Sequence, residues 1–267
     1  MKATDLARAL ETARTAAQAG AKIAMNKRIS LEHLVVEAKE ITDYVTDVDC
    51  TAQAAIIAIV RETFPDHRLL AEEDGAEGLG DPSSPFCWII DPLDGTKPYV
   101  HGKDEFACII ALEEAGKTIL GVMEVPTKKE SFWGTRGGGA FLNSEAIANL
   151  RATRNLDDAI LCTNMGGKSR GTDKVMTVRH PRCASLQNYG CAAVEMAEIL
   201  KGRNDGVFFE GVHLWDVAPA CLLIEEAGGR SRTELMDPKN PRCGVRCVAS
   251  TTPIFDDLCA FVFNGKS

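Results

Sequence analysis

The 267-residue sequence has no Cys-x-x-Cys pair, which zinc frameworks usually show. Its ten cysteines sit mostly in apolar runs, such as 106–111 and 220–224, where a thiol behaves as a small hydrophobe. Cys243 and Cys247 have no second pair nearby, so a structural zinc is not expected and a reducing, cytoplasmic compartment is. No apolar run approaches the ~18 residues of a membrane span, so no membrane partner is expected. Asp5, Arg8, Glu11 and Arg14 interrupt the N-terminal stretch, which argues against a secretion signal. Positive charge is not in excess. The 30 basic residues against 38 acidic ones leave −8, so no nucleic-acid partner is expected, while room remains for a local cation site. The spacing Gly-x-x-x-x-Gly-Lys-Ser/Thr does not occur, which argues against a P-loop nucleotide site.

What is present is an ordinary globular mixture, 45% hydrophobic and 25% charged. The length suits one large domain or two intimately packed ones. Residues 4–27 read as an Ala-rich amphipathic helix, with Leu6, Leu10, Ala13, Ala17, Ala21 and Ala24 on one face. A second helix is predicted over 50–63, stopped by Phe64-Pro65. Trp88-Ile89-Ile90 is a short buried-strand signal, and 106–112, 118–125 and 130–134 read as antiparallel strands with a turn at 114–117. Gly137 to Phe141 reads as a tight bend into another strand. In the second half, strands are predicted at 159–163, 207–209 and 248–250, and helices at 191–201, 216–227 and 253–262. The polar stretch 164–184 gives no clear pattern. The mixture predicts a layered α+β (mixed α/β) fold, with a boundary near 150 dividing an N-terminal half, 1–150, from a C-terminal half, 151–267.

Four acidic clusters could carry chemistry. Val45-Thr46-Asp47-Val48-Asp49 precedes a helix, and capping is its plain reading. Glu72-Glu73-Asp74 follows the apolar Leu69-Leu70-Ala71. Three adjacent acids suit a solvated turn, yet the end of a core strand is also a favoured ligand site. Asp91-Pro92-Leu93-Asp94-Gly95-Thr96 follows the buried strand. A carboxylate leaving such a strand needs a cation or several donors. Asp91, Asp94 and the Leu93 carbonyl on one turn would offer hard oxygens suited to Mg²⁺ or Mn²⁺. Trp215-Asp216 opens an apolar helix, and Asp216 reads either as its N-cap or as a further acid facing the same cavity. The three-residue spacing from Asp91 to Asp94 differs from the Asp-x-Asp of haloacid dehalogenase phosphatases.

Taken together, these stretches resemble the inositol monophosphatase family of magnesium-dependent, lithium-sensitive phosphatases. Trp88-Ile89-Ile90-Asp91-Pro92-Leu93-Asp94-Gly95-Thr96 is similar to that family's first signature. Trp215-Asp216-Val217-Ala218 with Glu226-Ala227-Gly228-Gly229 is similar to its second. Ala71-Glu72-Glu73 resembles its Gly-Glu-Glu motif, with Ala in place of Gly, and Val45 to Asp49 resembles its Val-Thr-x-x-Asp element.

The resemblance implies an α-β-α-β-α sandwich, often homodimeric, that hydrolyses a small phosphate monoester with two or three Mg²⁺ ions, Mn²⁺ being able to substitute. It implies that Glu72, Asp91 and the Leu93 carbonyl hold one ion, and Asp91, Asp94 and Asp216 a second. Glu72, with Glu73 nearby, would serve a third. Thr96 and Glu72 would orient and deprotonate the attacking water, with Asp49 supporting the water shell. Gly95 and Thr96 would meet the phosphate through backbone N–H groups, and Asp216 would lie near the leaving oxygen. Gly190, Cys191 and Ala192 resemble the family's substrate turn, Cys replacing a hydroxyl residue. Glu210 resembles a contact to ring hydroxyls, one residue closer to Asp216 than usual, and His213-x-Trp215-Asp216 is similar to the inositol branch. Lys97 is more typical of the histidinol-phosphatase and 3′(2′),5′-bisphosphate nucleotidase branches. An inositol monophosphatase-like activity is the leading expectation. Those two branches, and a regulatory metal-binding protein without turnover, are the alternatives.

Overall fold

Small side chains along one face let the first helix lie close to its neighbours. α1 (Ala3–Arg28) buries Ala9, Ala13, Ala16, Ala17, Gly20 and Ala21. A Cβ on Gly20 would stand 2.8 Å from Cys108 Sγ and 2.9 Å from Ile56 Cδ1, so only glycine permits this approach. The computed structural model describes residues 1–28, 36–40, 43–76, 78–150, 153, 155–164, 180–240 and 242–264.

After α1 comes an antiparallel ribbon of β1 (Val36–Glu40) and β2 (Asp43–Thr46), then α2 (Asp47–Thr63). A seven-stranded sheet follows in chain order: β3 (Arg68–Ala71), β4 (Phe86–Asp94), β5 (Ala107–Glu114), β6 (Lys117–Val125), β7 (Glu130–Thr135), β8 (Gly139–Leu142) and β9 (Glu145–Ile147). Only β3 and β4 run parallel; the other neighbours are antiparallel. The β5–β6 hairpin turns through Ala115 and Gly116, both at positive φ. α3 (Thr96–Val100) fills the turn after β4.

The remainder builds a five-stranded sheet from β10 (Ile160–Thr163), β11 (Ser185–Gln187), β12 (Gly206–Val212), β13 (Arg230–Leu235) and β14 (Val245–Ser250), in the spatial order β11-β10-β12-β14-β13. Three helices accompany it: α4 (Ala192–Leu200), α5 (Leu214–Glu226) and α6 (Thr252–Phe263).

Side-chain alternation on the strands explains the layering. Trp88 and Ile90 of β4 join the core beneath α1 and α2, while Ile89 packs with Trp215 and Ala218 of α5 on the other face. α4 and α5 lie between the sheets, and α6 closes the far side of the second sheet. The result is an α-β-α-β-α sandwich. Its largest apolar cluster draws on both sheets and on α4 and α5 together. β3 and β13 are edge strands, and β3 ends where the acidic segment begins.

Several elements differ from the sequence expectation. α2 begins at Asp47 rather than 50, because Thr46 caps it: the Thr46 hydroxyl accepts from Val48 N at 3.2 Å, and Asp49 accepts from Thr46 N at 2.9 Å. α5 begins at Leu214, with His213 rather than Asp216 as its N-cap. β1, β2, β9, β11 and β13 carry no periodic apolar signal, being short or, like Arg230–Leu235, charged and largely exposed at an edge. All ten cysteines are free thiols, and most are buried.

Candidate active site

β4 delivers the central acids. Asp91 is almost fully buried, and Leu93 N donates to its Oδ1 at 2.9 Å. Pro92 has no N–H to offer the ladder, and the pairing with β5 slips between Asp91 and Asp94. That slip turns the strand end out into a cleft of about 340 Å³. Burial, then the charges of Glu72, Asp94 and Asp216, push the Asp91 carboxyl well above the usual carboxylate range.

Glu72 reaches the same place from the neighbouring strand. Ala71 of β3 is in register with Ile90 of β4, and Glu72 N continues the ladder to Ile90 O at 3.1 Å. The next residue on each strand is therefore Glu72 beside Asp91, and their carboxyl groups share a hydrogen bond.

Two helices add an aspartate each by the same device. Asp49 is the third residue of α2 and Asp216 the third of α5; each carboxylate reaches back to the N-cap backbone, Thr46 N at 2.9 Å and His213 N at 2.7 Å. The N-terminal end of a helix favours such negative charge. Asp49 is wholly buried; burial raises its pKa against the hydrogen bonds from Thr46 and Thr96 that lower it. The Thr96 hydroxyl lies 3.1 Å from Asp49 Oδ1 and 3.1 Å from the Leu93 carbonyl.

Asp94 ties the halves together. Its Oδ2 accepts from Ala193 N at 2.6 Å and from Cys191 Sγ at 3.2 Å, and the Gly95 N–H also turns towards it. Asp94 thus caps α4 from another element, although burial still raises its pKa. Gly95 sits at φ +89°, and a Cβ there would lie 2.5 Å from Glu105 O. Both the backbone and the space therefore demand glycine.

Glu72, Asp91, Leu93, Asp94, Gly95 and Thr96 line the cleft, as do Gly190, Cys191, Ala192 and Asp216. Asp49 stands behind Thr96, and Glu73 is buried with its backbone held by Gln53. Glu210 points elsewhere: it is mostly exposed and pairs with Arg246 at 3.0 Å. Lys97 is exposed on the cleft wall as its one lysine or arginine among the described residues. The stretch 164–184 is described only at 164 and 180–184. A Gly-x-Ser-x-Gly string at 167–171 lies in its undescribed part.

Glu195 of α4 was not evident in the sequence. Its buried carboxylate accepts from Tyr189 N at 2.6 Å and Gly190 N at 3.1 Å, holding the turn that enters the cleft, and burial pushes its pKa up to about 8. Nothing local marks it, because a glutamate in an otherwise apolar helix reads as a solvent-facing residue.

The oxygen donors suit a hard divalent cation in kind and in charge. They are not yet gathered around one. Among the described residues, no group of three or more His, Cys, Asp or Glu side chains is arranged to hold an ion as it stands. The physical reason is visible in the pairing: Glu72 bonds to Asp91, while Asp94 and Asp216 each hold a backbone N–H.

Comparison with known proteins accords with this geometry. Residues 5–250 match the inositol monophosphatase family. A Nus factor SuhB of Pasteurella multocida is 35% identical over 198 residues, 72% of each chain. An inositol monophosphatase of Dictyostelium discoideum is 34% identical over 214 residues, 78% of this chain and 77% of its own. Among solved structures, the extragenic suppressor protein suhB of Bartonella henselae aligns with a TM-score of 0.82 at 27% identity, covering 97% of this chain and 100% of that one. Inositol monophosphatase from Anabaena aligns at 0.77 with 29% identity, covering 95% and 94%. With matching motifs, sandwich and family profile across nearly its whole length, the chain belongs to the inositol monophosphatase family.

Proposed function

We propose that the protein hydrolyses a small phosphate monoester by direct attack of water, with two or three Mg²⁺ ions, and that its activity is inositol monophosphatase-like. The observation that carries this reading is the meeting of Glu72, Asp91, Asp94 and Asp216, from three separate parts of the chain, on one cleft beside the Thr96–Asp49 pair.

A phosphate monoester resists attack because its own negative charge repels the nucleophile. Bound Mg²⁺ would neutralise that charge, acidify water and stabilise the leaving oxygen. Glu72, Asp91 and the Leu93 carbonyl would hold one ion, Asp91, Asp94 and Asp216 another, and Glu72 with nearby Glu73 a third. The protein's own part is positioning and proton transfer. When the Thr96 hydroxyl donates to Asp49, its lone pairs are left to accept a hydrogen bond from the attacking water and orient it. Glu72 accepts the one proton the water gives up as the new P–O bond forms, and the leaving alkoxide takes a proton from solvent as its own P–O bond breaks. The Thr96 N–H meets the phosphate, and Gly95 allows close backbone approach. Asp216 lies near the leaving oxygen, and Gly190, Cys191 and Ala192 line the alcohol side. Lithium sensitivity, a cytoplasmic location and a homodimer belong to the same reading.

A second reading is favoured by the names of several relatives. Proteins 32–36% identical are called Nus factor SuhB, which suits a regulatory protein that retains the cleft without turnover. The net charge of −8 weighs against direct binding to a polyanion.

Phosphate release from inositol 1-phosphate, histidinol phosphate and 3′-phosphoadenosine 5′-phosphate, with Mg²⁺ and with EDTA, separates these readings and ranks the substrates. Mg²⁺-dependent release, with no phosphoprotein after rapid quench, is expected. No release from any ester, together with firm Mn²⁺ binding, would leave the regulatory reading. A phosphorylated Asp or Ser would overturn direct attack by water.

A further inference from the structure

The acidic segment after β3 is an edge, and an edge strand is the least constrained part of a sheet. Glu72 follows β3 with a sheet neighbour on one side only. The hairpin between β13 and β14 supplies the other side. Arg242 donates from Nη1 to Ala71 O at 2.9 Å and from Nη2 to Glu72 O at 2.8 Å. Its guanidinium also lies 5.3 Å from the centre of the Trp215 ring, one residue before Asp216. The hairpin that presents it is internally tied: Met236 N bonds to Gly244 O at 2.9 Å, Cys243 N to Asn240 O at 2.9 Å, and Arg242 N to Asn240 Oδ1 at 3.0 Å.

We propose that Arg242 is a positioning residue for the cation site, fixing Glu72 and Asp216 relative to each other through the Ala71–Glu72 carbonyls and the Trp215 ring. This rests on the reading of those two acids as cation ligands. Glu72 and Asp216 arrive from different layers, one from the first sheet and one from the helix between the sheets. Asp91 and Asp94 share one turn and need no such bridge. Arg242 touches the backbone of one distant acid and the flanking ring of the other. Its planar fork suits the task, because two parallel N–H groups meet two successive carbonyls while the face of the same group lies on an aromatic ring. Lysine offers one point charge and cannot do both. From the opposite flank, Gln53 of α2 accepts from Glu73 N at 2.9 Å and donates to Glu73 O at 2.8 Å. The acidic segment is therefore clamped on both sides, and Arg242 is the clamp that belongs to the far half of the chain.

The test compares wild type with Arg242→Met and Arg242→Lys. Mn²⁺ affinity is measured by loss of the free-ion paramagnetic resonance signal. The Mg²⁺ activation constant and the substrate KM are measured at saturating concentrations of the other component. Hydrogen exchange at Glu72 and Glu73 is followed without metal. Arg242→Met should weaken Mn²⁺ binding and raise the Mg²⁺ requirement by about 10–100-fold, the range for losing a residue that orients metal ligands. KM at saturating Mg²⁺ should change little, and exchange at Glu72 should quicken. Arg242→Lys should fall between Met and wild type, and it serves alone if the Met variant does not fold. Wild-type Mn²⁺ affinity in either variant, or a lowered melting temperature with unchanged affinity and exchange, would overturn the proposal. A wild-type protein that binds Mn²⁺ but hydrolyses no ester would refute the phosphatase reading and leave the Arg242 comparison standing on affinity and exchange. A wild-type protein that binds no Mn²⁺ would overturn both.

Discussion

Glu72 and Asp91 stand side by side because β3 and β4 are parallel with Ala71 opposite Ile90, and the two carboxyl groups share a hydrogen bond. Two carboxylates so placed cannot both ionise cheaply unless a cation joins them. Protons and divalent ions therefore compete for the same oxygens.

That competition sets a pH dependence. The Asp49, Asp91 and Asp94 carboxyls are raised in the folded protein, chiefly by burial, and Glu195 is raised to about 8. A raised acid makes the folded state bind more protons than the unfolded one, so stability falls as pH rises. Their contribution is full below the ordinary carboxylate range and is lost as pH rises through the raised values, for Glu195 through about 8. In EDTA the melting temperature should fall from pH 5 towards pH 8, roughly the span between these limits. Added Mg²⁺ should stabilise more at the alkaline end. Thermal scans across pH, with and without the ion, check both trends; a flat metal-free profile would contradict them.

Thr96→Val tests the proton path. It keeps the branched shape and removes the hydroxyl that lies 3.1 Å from Asp49. Turnover should drop by about 10²–10⁴-fold, the usual worth of a positioned acid–base group, with Mn²⁺ affinity near wild type. Equal loss of affinity and turnover would place Thr96 in cation binding instead.

Gly95→Ala tests the strand-end geometry. With φ at +89° and a Cβ 2.5 Å from Glu105 O, the variant should lose about 1–3 kcal/mol, the cost of a strained backbone position. The urea midpoint measures it, and unchanged stability would show that the turn can relax.

The fragment 1–150 tests whether the first half stands alone. It would lack α4 and α5, which cover one face of the seven-stranded sheet and share a core with Ile109, Met123 and Phe132. We expect a fragment with secondary structure but no sharp thermal transition, read by near-ultraviolet dichroism and a melt. A cooperative melt would indicate an independent domain.

The legible parts of this protein were the local ones. Asp91 and Asp94 could be placed together because three residues on one strand end cannot separate far. The alanine stripe of α1 and the Gly228-Gly229 stop of α5 follow from helix period and chain stiffness. Glu210 shows a placement that strand register decides. The pairing of β12 with β14 slips between Glu210 and Val212, with Gly211 at φ +82°. In a strand one residue's slip changes the face a side chain presents, so Phe209 and Val212 line the cleft while Glu210 meets Arg246. Gln53, Glu195 and Arg242 left no trace in the sequence because each acts on backbone groups, which every residue carries alike.

By itself the sequence determined which acids end strands or open helices, since apolar period, proline and capping residues act within a few positions. Only the tertiary structure decided that Asp49, Glu72, Asp94 and Asp216 converge, and that Arg242 braces two of them. Strand register and the packing of α4 and α5 between two sheets are settled by contacts far apart in the chain, and their geometry is not written in any short stretch of residues.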